Sequence, residues 1–121
     1  MSIIRILLDH DSEGCEEFLK TALKETGWNN LIIIEFFRLV DFGLAIKCND
    51  REIWRRVQEE QVLFITRNRN REDESSLQAV IENENREDSL PVLTIVSQER
   101  LAISEYRQLA AHKLAEIILC R

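Results

Sequence analysis

The sequence is poor in glycine, proline and cysteine, with three, one and three residues of each type in a chain of 121. So few glycines and prolines argue against a disordered or low-complexity chain. The glycines are also scattered, so they do not form the loops that bind nucleotide phosphates or dinucleotides. The cysteines make no Cys-x-x-Cys pair, which argues against a zinc ribbon and a disulfide framework. From the length and these absences we expect one folded domain, in the cytoplasm.

The chain also lacks a nucleophile motif and a long apolar segment. It contains no Gly-x-Ser-x-Gly turn and no cysteine beside a histidine in an activating pattern, so covalent catalysis has little support. No apolar run approaches the roughly 18 to 20 residues that a membrane-spanning helix needs. The short apolar run from Met1 to Leu8 ends at Asp9 without the pattern of a signal peptide. We expect no membrane association.

The charge is negative overall but uneven along the chain. Sixteen Lys and Arg against 22 Asp and Glu give a net charge of -6, which argues against a general nucleic-acid or membrane binder. Residues 51 to 71 differ, because six arginines and three glutamates leave that segment at +3 and the rest of the chain at -9. Within it, Arg67, Arg69 and Arg71 alternate with Asn68 and Asn70, a spacing suited to holding a phosphate backbone. A basic cluster that merely balances an acidic chain is the simpler interpretation.

The apolar patterns predict strands that alternate with helices. Short β-branched runs predict four strands, at residues 3–8, 31–37, 62–66 and 90–96. Helical spacing predicts helices from Ser12 to Gly27, from Asn49 onward, over residues 76–84 and near the end of the chain. The stripe predicted for that last helix contains Tyr106, Leu109, Ala110, Lys113, Leu114 and Ile117. This alternation predicts an α/β domain over residues 1–121, with a four-stranded, mostly parallel sheet in which the first and third strands are adjacent.

Polar side chains follow two of these strands. Sites in parallel sheets form beyond the carboxyl ends of the strands. Asp9 and Asp11 follow the first strand, and a polar series follows the third strand: Thr66, Asn68, Asn70, Glu72 and Asp73. Carboxylates that converge in one cleft are usually neutralised by a divalent cation, and hard oxygen ligands suit Mg or Mn. Such an ion can activate water for attack on a phosphodiester.

Three segments resemble the PIN-like nuclease family, in particular its small bacterial and cyanobacterial members. They are Ile6-Leu7-Leu8-Asp9, Asn49-Asp50-Arg51-Glu52-Ile53 and Val62-Leu63-Phe64-Ile65-Thr66-Arg67-Asn68-Arg69-Asn70, and the resemblance covers roughly residues 3 to 96. The resemblance implies a three-layer α/β/α sandwich and a carboxylate site for Mg or Mn. Family members with a full acidic set are typically ribonucleases, often the toxins of toxin–antitoxin pairs.

The resemblance also implies roles for individual residues. Asp9 matches the first acidic ligand, Asp50 matches the acid that opens the middle helix, and Thr66 matches the threonine before the third-strand acids. The family's Thr-x-Asp-x-Asp pattern departs here, with an amide at both Asn68 and Asn70. An amide oxygen still coordinates a hard cation, but it brings no charge and cannot act as a base.

The leading prediction is a PIN-like ribonuclease that uses Mg or Mn. Asp9, Asp50 and Asp73 would be the catalytic carboxylates, with Asn68 as a further metal ligand. Thr66 would help to orient the bound groups. Arg67, Arg69 and Arg71 would bind the phosphates of RNA. An antitoxin protein would then be the natural partner.

Other interpretations remain open for the same residues. The protein could be a PIN-like module that has lost catalysis and serves interaction or regulation, as a homodimer through its apolar last helix. A small-molecule phosphatase would use the same acidic cleft within a closed pocket. Asp9 could simply cap the first helix, Asp50 could be favoured by the helix dipole, and Asp73 could belong to a solvated acidic run. Trp28 and Trp54 are predicted to be packing residues.

Overall fold

A computed structural model describes residues 3–44, 49–66, 81–82, 84, 90–95 and 98–119. Within these ranges the strands are β1 (Ile3–Leu8), β2 (Ile33–Arg38), β3 (Leu63–Thr66) and β4 (Val92–Thr94). The α-helices with described bounds are α1 (Glu16–Thr26), α2 (Asp50–Glu60) and α3 (Ser104–Leu119). Most of the helix predicted over 76–84 lies outside the described residues, although Ile81, Glu82 and Glu84 are helical.

The four strands form one parallel sheet in the order β2-β1-β3-β4. This confirms the predicted α/β sandwich and the predicted contact between the first and third strands. One row of side chains shows the register, because Leu7 of β1 lies opposite Phe37 of β2 and Phe64 of β3, and Phe64 lies opposite Val92 of β4. All four residues of β3 are buried, as expected for a strand covered on both faces.

Helix α2 covers the face of the sheet that carries this row. Its buried residues Ile53, Trp54 and Val57 form one hydrophobic cluster with Leu7 and Phe64. The predicted packing role of Trp54 is confirmed, since its side chain is buried. The helix runs from the carboxyl end of the strands back to their amino end, where the Arg5 guanidinium donates a hydrogen bond to the carbonyl of Glu60.

The start of α2 follows the predicted capping pattern. The Asn49 side chain accepts a hydrogen bond from the Glu52 amide at 2.8 Å, which satisfies one of the free N–H groups of the first turn. At the other end, Gln61 takes a left-handed conformation with φ of 56° and closes the helix. The chain then turns directly into β3.

Helices α1 and α3 together cover the opposite face. Leu19 of α1 and Leu114 of α3 join Ile6, Leu8 and Ile65 in a second hydrophobic cluster. The prediction of an apolar stripe on the last helix is wrong in part. Of the buried residues of α3, which are Ala111, Leu114 and Ala115, only Leu114 belongs to the predicted stripe. Leu109 and Lys113 are exposed. The helix turns small side chains towards α1, which lets the two backbones approach closely, and the pattern of large apolar residues does not reveal this.

The predicted start of the first helix is also corrected. The helix was expected from Ser12, but His10–Cys15 form a 3-10 helix and α1 begins at Glu16. Asp9 caps this 3-10 helix, because its carboxylate accepts a hydrogen bond from the His10 amide, whereas Ser12 is buried within it and α1 itself has no side-chain cap. The predicted end is confirmed, since Gly27 has φ of 81°, a left-handed conformation that glycine adopts without strain.

Candidate functional site

The candidate site lies where the carboxyl ends of β1 and β3 meet. The chain leaves β1 for β2 on one side, and its later strands lie on the other, so the strand order reverses between β1 and β3. Open α/β sheets place ligands in the crevice at such a switch point. Asp9 directly follows β1, and Thr66 is the last residue of β3. The Asp9 amide donates to the Ile65 carbonyl at 3.0 Å, which holds the two strand ends together.

Hydrogen bonds orient the Asp9 carboxylate at both oxygens. Oδ1 accepts from the His10 amide at 2.8 Å, and Oδ2 accepts from the Thr66 hydroxyl at 3.1 Å. Thr66 is 2% exposed, whereas Asp9 is partly exposed. A carboxylate offers about four lone-pair positions, so both oxygens keep the capacity to bind a further group. The prediction that Asp9 and Thr66 meet is therefore confirmed.

Asp50 lies at the same end of the sheet as this pair. It is the first residue of α2, whose last turn lies beside the amino end of β1 through the Arg5 contact. Because side chains alternate between the two faces of a strand, Thr66 lies on the same face as Phe64, two residues earlier, and Phe64 packs in the cluster under α2. Asp9, Thr66 and Asp50 thus belong to one end and one face of the sheet, and Asp50 is itself partly buried.

The other groups after β1 lie at the surface. Asp11 and His10 are exposed, and His10 Nδ1 is 3.9 Å from Glu13 Oε1 within the same 3-10 helix. Their side chains have no described contact with Asp9. Of Asp9 and Asp11, Asp9 is therefore the one whose carboxylate has a described orientation at the strand ends.

Much of the predicted site lies outside the described residues. This applies to the proposed ligands Asn68 and Asp73 and to Arg67, Arg69 and Arg71. Among the residues that are described, no three His, Cys, Asp or Glu side chains converge to hold a metal ion. The described donors, a carboxylate and a hydroxyl at the switch point, are of the hard oxygen type that Mg and Mn take, but they are fewer than a complete ligand set.

The first half of the basic segment is neutralised. Arg51 Nε and Arg55 Nε each lie 2.9 Å from a different oxygen of Glu84. These hydrogen bonds hold the pKa of the Glu84 carboxyl below its usual range, and the one from Arg55 has the larger effect. Arg56 Nε lies 3.3 Å from Glu60 Oε1. The arginines of α2 therefore balance acids of the same chain, and the excess positive charge of residues 51–71 belongs to the stretch after β3.

Sequence reasoning missed the part played by Glu84. It lies 33 and 29 residues from its two arginine partners, beyond the reach of any helical spacing rule. Composition gave no signal either, since α2 carries four acids of its own beside its three arginines.

Comparisons of the chain with models of known protein families, with curated proteins and with solved structures find no match. In the described part of the chain, no helix combines the length and the apolar character required to cross a bilayer. Fold alone does not determine function, because similar sheets carry many chemistries. What the protein does must follow from the groups at the switch point.

Proposed function

We propose that this protein is a PIN-like ribonuclease dependent on Mg or Mn, with Asp9 as its central metal-binding carboxylate. The observation that carries the proposal is the carboxylate itself, fixed at both oxygens by the His10 amide and the Thr66 hydroxyl at the switch point of the sheet. Glu84 and Glu25 are also held at both oxygens, but by arginines that neutralise them, whereas the donors to Asp9 are uncharged and lie at the position where open α/β sheets bind ligands.

Each residue of the proposed site has a distinct task. Asp9 and Asp50, with Asn68 and Asp73, would hold the ion. When bound, the ion supplies an activated water and stabilises negative charge on the phosphodiester. Thr66 is a positioning residue, because its hydroxyl donates to Asp9 Oδ2 and fixes the angle at which the carboxylate meets the site.

RNA binding in this proposal depends on the stretch after β3. The acidic chain repels a polyanion, and the arginines of α2 are engaged by Glu84 and Glu60. Arg67, Arg69 and Arg71 directly follow β3 in the sequence and would provide the phosphate contacts. The toxin of a toxin–antitoxin pair is the biological setting that agrees with this activity, with an antitoxin protein as partner.

A second candidate is an inactive PIN-like interaction module. Two observations favour it: amides replace carboxylates at Asn68 and Asn70, and the described residues hold no three-ligand metal cluster. In that case the Asp9–Thr66 hydrogen bond only joins two strand ends. The two candidates differ in metal affinity, so one measurement separates them.

The test is calorimetric titration with Mn and Mg together with cleavage of a mixed RNA pool. We expect the wild type to bind metal and cut RNA, and Asp9→Asn to lose both. Thr66→Val keeps the size of the side chain but removes the hydroxyl, and we expect it to weaken metal binding roughly 10- to 100-fold. Glu59→Gln is the matched control, since this exposed acid lies in the last turn of α2 at the other end of the sheet.

A wild type that neither binds metal at millimolar concentration nor cleaves RNA would overturn the nuclease proposal and leave the interaction module. Metal binding that survives Asp9→Asn would instead show that Asp9 is not the central ligand. Far-UV circular dichroism of each variant separates lost chemistry from lost folding.

A further inference from the structure

A pocket lies on the other face of the sheet, between its β4 edge and helix α3. Its volume is about 150 Å³, and its apolar wall is formed from Leu19, Ile65, Leu93, Ile95, Leu109 and Ala110. An aliphatic cavity of about this size accommodates one benzene molecule. The pocket therefore fits a compact apolar group, such as a single ring or a short branched chain, and is too small for a nucleotide.

Two polar side chains of α3 border the same pocket. Tyr106 and Lys113 are seven residues apart, so they lie on one side of the helix, two turns from each other, with Ala110 between them. Lys113 is the one charged residue of the stripe that the sequence pattern marked as apolar. The polar groups are thus gathered at a cavity whose other walls are almost entirely apolar.

Lys113 has no counter-charge within the described residues. Glu116, one turn further along α3, does not pair with it, and no described carboxylate lies within ion-pair distance of its ammonium. The Tyr106 hydroxyl likewise makes no hydrogen bond to the described part of the chain. Two other helix cations are paired, Lys20 with Glu16 at 2.7 Å and Arg107 with Glu25, whereas the exposed Lys24 of α1 has no described ion pair but lies away from the pocket. A cation and a hydroxyl donor therefore border the apolar cavity without an internal acceptor.

We propose that this pocket binds a small carboxylic acid, with its apolar body among the aliphatic side chains and its carboxylate held by Lys113 and Tyr106. The ammonium and the phenol hydroxyl both donate hydrogen bonds, and a carboxylate accepts two or more. A neutral ligand of the same shape leaves the ammonium uncompensated, and a cation is repelled by it. The positive charge of Lys113 thus favours an acid as the ligand, and the pocket volume limits the apolar part of that ligand to about one ring.

The pocket is joined to the candidate active site through the backbone of the sheet. The Ile95 amide donates to the Thr66 carbonyl at 2.9 Å, and Thr94, which also lines the pocket, lies opposite Thr66 in the sheet register. A bound acid would therefore lie against Ile95, which is hydrogen-bonded to the residue that positions Asp9. The binding itself does not depend on nuclease activity.

Benzoate is the probe that tests the proposal, with benzylamine as the cation of the same shape. We expect benzoate to bind saturably to the wild type at millimolar concentration or below. Amide resonances of Leu93, Ile95, Leu109 and Ala110 should shift in two-dimensional NMR spectra of the protein. We expect no saturable binding of benzylamine.

Variants of the two polar residues complete the test. Lys113→Gln should weaken benzoate binding about two- to fivefold, because an ion pair at an exposed position is screened by solvent, and the exposed substitution should leave folding unaffected. Tyr106→Phe should weaken it severalfold. Lys24→Gln is the control, since this exposed lysine of α1 loses the same charge away from the pocket, and its affinity for benzoate should equal that of the wild type.

Three results would overturn the inference. They are the absence of saturable benzoate binding, equal affinity for benzoate and benzylamine, or unchanged affinity in Lys113→Gln. None of them bears on the metal site, which the Asp9→Asn titration tests separately.

Discussion

The two faces of the sheet are covered in different ways. On one face α2 packs large side chains against the sheet in a cluster that includes Trp54 and Phe64, and Ile81 from a further helical segment packs against the same cluster. The rings of Phe37 and Phe42 pack beside them with centroids 5.4 Å apart. On the other face two helices share the area, and they meet through alanines such as Ala111 of α3.

The face covered by α1 and α3 is also held together by polar contacts at its surface. Arg107 of α3 makes two hydrogen bonds to Glu25 of α1, at 2.7 and 3.0 Å. The Trp28 indole donates to His112 at 2.9 Å with the rings in an edge-on arrangement, so its predicted packing role is joined by a specific hydrogen bond. The α2 face is therefore packed around the aromatic rings of Trp54 and Phe64, whereas the α1–α3 face combines an aliphatic cluster with a close alanine contact and polar contacts at the surface.

The largest expected effect is at Trp54. Trp54→Ala removes a buried indole from the cluster under α2, and we expect a loss of about 3–5 kcal/mol in the free energy of unfolding. Urea denaturation followed by circular dichroism measures it. Trp28→Ala is the companion variant on the face covered by α1 and α3. Its indole is partly exposed, so the loss in the free energy of unfolding should be clearly smaller. Equal losses would remove the distinction between the faces.

The next effect comes from adding volume where α1 and α3 meet. Ala111 is fully buried at this contact, so Ala111→Leu forces the helices apart, and we expect a cost of about 1–3 kcal/mol. Ala102→Leu makes the same change at an exposed position and should cost little. If Ala111→Leu were tolerated equally well, close approach of the helices would not be what this face requires.

Much of the fold could be predicted from the sequence because it depends on local patterns. The β-branched runs located the strands to within about two residues, and Asn49 with Glu52 marked the start of α2. The meeting of Asp9 and Thr66 followed from the expected adjacency of the first and third strands and from the rule that sites form beyond the carboxyl ends of parallel strands. What failed required contacts between distant elements.

Two errors show the reason. The last helix was assigned its buried face by large apolar residues, yet beside Leu114 its buried residues are Ala111 and Ala115, and Ala111 packs against Ala22 and Leu23 of α1. Ser12 was expected to cap the first helix, but the side chain of Asp9 reaches the first free amide and a 3-10 turn comes before α1. In both cases the outcome depends on how adjacent segments pack and hydrogen-bond in three dimensions, which the types of the residues alone do not reveal.

The smallest expected effects concern the ion pairs of the two faces. Arg55 and Arg51 lower the pKa of Glu84 on the α2 side, and Arg107 lowers the pKa of Glu25 on the other. A pKa that is lower in the folded than in the unfolded chain adds stability above the unfolded value, and this stability is lost as the pH falls through the folded value. Thermal midpoints should therefore fall on acidification between about pH 5 and pH 3.

Glu84→Gln and Glu25→Gln measure these contributions separately. At pH 7 each should lower the thermal midpoint by roughly 1–3 °C, with Glu84→Gln at the upper end because it leaves two arginines unpaired. Each variant should also lose less stability than the wild type on acidification. Glu59→Gln, at an exposed acid, serves as the control. A variant whose midpoint followed the wild-type pH curve would show that its ion pair contributes no stability.

The central position of β1 has a consequence for the order of folding during synthesis. β1 is made first but pairs with β2, about 30 residues later, and with β3, and its Asp9 meets Thr66 across 57 positions of sequence. At about 5–20 residues per second, the ribosome needs roughly 3–11 s to make that interval. During that interval β1 has no β3 to pair with, so at least one edge of this apolar strand is unpaired. The carboxylate of the candidate site therefore acquires its orientation only after more than half of the chain has been made.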